Sequence, residues 1–81
     1  MKKILRFTAS WCGPCKMLAK NLEQVNLNLP IEVVDIDVHN EMAVEYSIRG
    51  VPTLVMIEDN KEIKRIVGLK STTELKEWAN D

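Results

Sequence analysis

Apolar residues recur along this chain with two different periods. Residues 2–8 carry a short apolar cluster, Ile4, Leu5 and Phe7, that reads as a strand. From residue 13 to residue 28 the spacing changes. Cys15, Leu18, Leu22, Val25 and Leu29 recur at steps of three and four, which places them on one face of a helix. Pro14 suits the first turn of that helix, where a missing N–H costs nothing, and Pro30 blocks any extension. Residues 31–37, Ile-Glu-Val-Val-Asp-Ile-Asp, are rich in β-branched side chains and predict a second strand. Asn40 to Ser47 predicts a short helix with Met42, Ala43 and Tyr46 inward. Residues 53–58 and 62–67 predict two more strands, and Asp59-Asn60-Lys61 is the turn that makes them an antiparallel hairpin. Ser71-Thr72-Thr73-Glu74 fits a capping box, and Leu75, Trp78 and Ala79 supply the apolar stripe of a last helix.

The order β-α-β-α-β-β-α defines an α/β chain. The first two strands flank a helix and should run parallel through a right-handed crossover. The hairpin adds two strands, giving a four-stranded mixed sheet flanked by three helices. With 81 residues and no linker or repeat, the chain reads as a single domain over residues 1–81. A chain of this size buries roughly 60% of its unfolded surface, so its core is modest.

Composition narrows the function. The net charge of −1 leaves no basic excess for nucleic acid and no acidic tail. The longest apolar run, Leu54 to Ile57 with Thr53 beside it, falls far short of the ~20 residues of a membrane helix. Met1-Lys2-Lys3-Ile4-Leu5 starts basic, but Arg6 breaks the apolar stretch before any signal-peptide core forms. The expectation is a cytoplasmic monomer with no membrane partner, whose thiols the compartment keeps mostly reduced.

The candidate chemistry lies in Ala9-Ser10-Trp11-Cys12-Gly13-Pro14-Cys15-Lys16, which holds the only two cysteines. Two thiols at this spacing can close a small ring reversibly, a two-electron redox couple. They fall after the first strand and at the start of the first helix, the carboxyl end at which open α/β sheets place their chemistry. Unpaired N–H groups and the helix dipole there favour a thiolate on Cys12, the nucleophile. Cys15, one turn on and more buried, would resolve the mixed disulfide. Lys16 adds positive charge, and Trp11 would shield one side. The alternative is half of a zinc site, but zinc wants four ligands and the chain adds only His39; no metal or cofactor is expected. A second signal is Gly50-Val51-Pro52-Thr53. Pro52 opens a strand without losing a ladder bond, and a free backbone group at Val51 could bind an extended peptide by strand addition.

Taken together, Trp-Cys-Gly-Pro-Cys-Lys at residues 11–16, Ile48-Arg49-Gly50-Val51-Pro52-Thr53-Leu54 and Val67-Gly68 resemble the thioredoxin family over essentially the whole chain. The resemblance implies a thioredoxin-like fold and a thiol–disulfide oxidoreductase that reduces protein disulfides, plausibly on an enzyme such as ribonucleotide reductase, and is recharged by a reductase. It also implies that Pro52 is cis and that Trp11, Val51, Pro52, Gly68 and Leu69 border the substrate groove, beside Gly13 and Pro14 of the ring. The full-length family has a further strand and helix before the first strand seen here. The size resembles glutaredoxin, so a glutathione-coupled reductase is the alternative, although Gly13-Pro14 replaces the Pro-Tyr usual there. A second alternative is an interaction subunit whose redox state is irrelevant.

Other departures bear on tuning. The family's buried aspartate is Arg6 here, its partner lysine is Val33, and Lys20 replaces a helix-kinking proline. A guanidinium beneath the dithiol would favour thiolate and stabilise the reduced form; the other reading is that Arg6 snorkels to solvent. Asp35 and Asp37 alternate with Val34 and Ile36 and read as a solvated strand end, with either able to stand in for the missing acid.

Overall fold

The computed structural model describes all 81 residues. The chain forms β1 (Lys2–Thr8), α1 (Gly13–Glu23), β2 (Ile31–Asp35), α2 (Asn40–Glu45), β3 (Thr53–Glu58), β4 (Lys61–Val67) and α3 (Thr72–Asn80). The strand order is β2-β1-β3-β4. β1 runs parallel to β2, with Arg6 opposite Val33 and Thr8 opposite Asp35. β3 is antiparallel to both β1 and β4. The predicted mixed sheet and element order are therefore present.

Alternation along the central strands divides the core between the two sheet faces. Ile4, Leu54 and Met56 pack with Leu18 and Leu22 of α1 and Leu75 of α3. Leu5, Phe7, Val34, Val55 and Ile57 face the other way, where Met42 and Tyr46 cover them. β3 lies between β1 and β4 and is buried from Thr53 to Ile57, which explains its continuous apolar run.

Four element boundaries differ from the sequence reading. α1 stops at Glu23 rather than near residue 28. Asn26 Oδ1 accepts the Asn28 backbone N–H at 2.8 Å, and Asn28 takes a left-handed φ of 59°. These local bonds compete with the helix. Val25 accordingly leaves the helical stripe, while Leu27 and Leu29 reach the core from the loop. β2 ends at Asp35 rather than at residue 37, because Asp35 Oδ1 accepts the Asp37 N–H at 2.8 Å and folds the chain into a turn. α2 ends at Glu45, with Ser47 at φ 53°. The hairpin turn needs only Asp59 and Asn60, both at positive φ, so Lys61 already belongs to β4.

Candidate active site

β1 delivers the chain to the end of the sheet at its carboxyl terminus, and Cys12 is the N-cap of α1. Its backbone is extended (φ −95°, ψ 106°), and its side chain caps the helix by accepting the Cys15 N–H at 3.1 Å. Pro14 occupies the first turn, as its fixed φ and missing N–H suit. The Cys12–Cys15 disulfide is closed, with Cα atoms 5.3 Å apart. The two sulfurs are not equivalent. Cys12 keeps 5% of its surface, whereas Cys15 is fully covered against Ala9.

The loop before β3 packs on this ring. The Val51–Pro52 peptide is cis. The Val51 carbonyl oxygen lies 3.8 Å from Cys12 Sγ. Thr53, buried at the strand start, donates its hydroxyl to the Gly50 carbonyl at 2.8 Å. Pro52 is buried, and its carbonyl accepts the Gly68 N–H at 2.9 Å. Gly68 has φ 95°, a backbone conformation that glycine enters without strain. Trp11 stands 68% exposed beside the ring, held by its indole N–H on the Asp37 carboxylate at 2.9 Å. Leu69 and Val67 are exposed nearby in sequence to Gly68. The structure thus brings Trp11, Gly13, Pro14, Val51, Pro52 and Gly68 to one end of the sheet.

Arg6 and Lys16 occupy different settings. Lys16 is exposed. Arg6 is half-buried beneath α1 and no carboxylate pairs with it. Desolvation lowers its pKa from the ordinary guanidinium value, a cost of holding that cation away from water. Arg6 lines a cavity of about 250 Å³ together with Thr8, Ser10, Cys15, Lys16, Ala19 and Asp35. His39 occupies the N-cap position of α2 without a side-chain capping bond, and its ring sits 3.8 Å from the Glu41 carboxylate.

The thioredoxin family model matches residues 1–81. This chain belongs to the thioredoxin family. It is 45% identical to thioredoxin of Chlamydia trachomatis serovar D over 75 residues, which is 89% of this chain and 74% of the relative. It is 37% identical over 76 residues to a bifunctional thioredoxin reductase/thioredoxin of Mycobacterium leprae, covering 89% of this chain and 17% of that protein. A mutant thioredoxin of Halobacterium salinarum superposes with a TM-score of 0.88 at 33% identity, over 98% of this chain and 72% of that one. With its Cys12–Cys15 disulfide, this thioredoxin is a thiol–disulfide oxidoreductase acting on protein disulfides. No helix is long and apolar enough to cross a membrane.

Two contacts of this thioredoxin escaped the sequence reading. The Trp11–Asp37 bond joins residues 26 apart. Asp37 alternates with Ile36 and so carried only the signal of a polar strand end. The second is the bond from Asn21 Nδ2 to the Lys70 carbonyl at 2.9 Å, which ties α1 to the segment before α3. Neither pairing leaves a local pattern.

Proposed function

We propose that Cys12 opens the substrate disulfide and Cys15 releases the product. The observation that carries this is the inequality of the two sulfurs. Cys12 Sγ sits at the helix N-terminus with surface left to it, where the Cys15 N–H and the helix dipole favour a thiolate, and Cys15 is fully covered. In the reduced protein the Cys12 thiolate attacks one substrate sulfur. The substrate S–S bond breaks, a mixed disulfide forms, and the second substrate sulfur leaves as a thiolate. Cys15 then attacks Cys12 Sγ, restoring the ring and freeing the first substrate sulfur. Two electrons have passed to the substrate.

Trp11, Gly13, Pro14, Val51, Pro52 and Gly68 form the groove in which an extended substrate segment lies. Backbone groups at Val51 add that segment as a strand, which selects peptides by main-chain bonding rather than by sequence. The electron source is the dithiol of a thioredoxin reductase, a reading supported by the relative that carries both activities in one name. Ribonucleotide reductase is the substrate candidate, and the protein works as a cytoplasmic monomer.

Trapping tests the assignment. A Cys15→Ser variant should accumulate a mixed disulfide on Cys12 that dithiothreitol releases. A trap that forms instead on Cys15 of a Cys12→Ser variant would reverse the roles. Rapid reduction of the ring by NADPH and a flavin-dependent thioredoxin reductase, with slow reduction by glutathione, is the expected electron route; the opposite order would favour the glutathione-coupled reading.

A further inference from the structure

The resolving step requires Cys15 to lose a proton while it is covered by protein. Cys15 is one of the residues that line the cavity of about 250 Å³ behind the ring. The side chains that line it are Arg6 and Thr8 from β1, Ser10, Lys16 and Ala19 from the α1 side, and Asp35 from β2. Arginine and lysine arrive as cations, and hydroxyls are poor acceptors of a full proton. Asp35 alone brings a carboxylate.

We propose that Asp35 accepts the Cys15 proton, through the solvent of this cavity, during release of the product. The proposal rests on the assignment of Cys15 as the resolving thiol. Asp35 is held for this role. Its Oδ1 accepts the Asp37 N–H at 2.8 Å, and its backbone carbonyl accepts the His39 N–H at 2.8 Å, so the carboxylate is fixed at the end of β2. It stands opposite Thr8 in the parallel ladder, on the strand pair that also carries Arg6. Arg6 makes no ion pair with it, so its charge is not cancelled by a salt bridge. Of the other charged groups around it, Asp37 binds the Trp11 indole and His39 faces Glu41.

The charge balance favours this acceptor. Before transfer the cavity holds two cations, one carboxylate and a neutral thiol. After transfer it holds the same two cations, a neutral carboxyl and a thiolate. The net charge is unchanged, so the transfer relocates a negative charge within the cavity without adding one. The thiolate then attacks Cys12 Sγ, the Cys12–substrate bond breaks, and the electron pair leaves on the substrate sulfur. The proton on Asp35 returns to solvent or to that leaving thiolate.

The test separates the two sulfur steps with an aryl disulfide that releases one coloured thiolate when Cys12 attacks and a second when Cys15 resolves. Asp35→Asn keeps the oxygen that accepts the Asp37 N–H, so the turn survives the change. We expect the second release to slow about a hundredfold near pH 7, at the low end of acid–base contributions. The two proteins should converge at alkaline pH, above the ordinary thiol value of about 8.5, where Cys15 ionises unaided. The first release should not change, and Asp35→Glu should restore most of the rate. Superimposable second-phase profiles would overturn the role of Asp35, as would a slowing by one factor at every pH, which marks a structural effect. A first release that survives Cys12→Ser would overturn the assignment of the nucleophile instead.

Discussion

Arg6 is a partly desolvated cation behind the disulfide ring. It lies half-buried and unpaired in the lining of the cavity that Cys15 also borders. A cation there stabilises a thiolate and therefore the reduced form, which raises the reduction potential. Arg6→Leu should shift the potential in the reducing direction by about 30 mV, a tenfold change in the exchange constant. Equilibration against a dithiothreitol buffer measures it, and an unchanged potential would show that Arg6 acts only in packing. The Trp11–Asp37 bond permits a second test. Asp37→Ala frees the indole, so KM for a protein disulfide should rise several-fold while the potential stays fixed. At this scale the closing of Cys12 on Cys15 was legible from their spacing, and the cis bond at Pro52 only from the family resemblance. The cavity that joins Arg6 to Asp35 was not, since it depends on the register of β1 against β2.

Among the elements, α3 has the most explicit terminus. Ser71 Oγ accepts the Glu74 N–H at 3.1 Å, and Glu74 Oε1 accepts the Ser71 N–H at 3.0 Å. That return bond from the Ser71 backbone, followed by the side-chain bond, holds the Glu74 carboxyl below its ordinary 4.5. A depressed carboxylate stabilises the fold above its unfolded pKa, and that contribution is lost as pH falls through the folded value. Ser71→Ala should cost about 1 kcal/mol near neutral pH by urea denaturation. As pH drops below 4.5 the gap should narrow only by the smaller share that the Ser71 hydroxyl adds to the Glu74 shift, because the larger share comes from the Ser71 backbone N–H, which alanine keeps and which both proteins lose on protonation. The capping box was readable from four consecutive residues. The ends of α1 and β2 were not, because Asn26 and Asp35 stop them with side-chain bonds to backbone N–H groups two residues on. Periodicity continues through such stops, and hydrogen bonding does not.

Across the whole molecule, two apolar layers share one sheet, and Phe7 is fully covered in the layer beneath α2. Its ring meets Tyr46 at 5.8 Å between centroids in a tilted arrangement. Phe7→Ala should cost about 3–5 kcal/mol, a large share of the 5–15 kcal/mol typical of a domain, and a urea midpoint measures it. The edge strand β4 is tied to the same region by Arg65, which donates to the Tyr46 carbonyl at 2.7 Å while also bonding both Glu62 oxygens. The disulfide adds a further consequence at this scale. Its ring spans only residues 12–15, so it is the same short ring in the folded and the unfolded chain. Folding and reduction therefore close a thermodynamic square. Whatever the folded surroundings do to favour the dithiol must reappear as extra resistance of the reduced protein to urea, relative to the oxidised one. A 30 mV change at Arg6 corresponds to about 1.4 kcal/mol around that square. Two unfolding curves, one per oxidation state, then serve as an electrode.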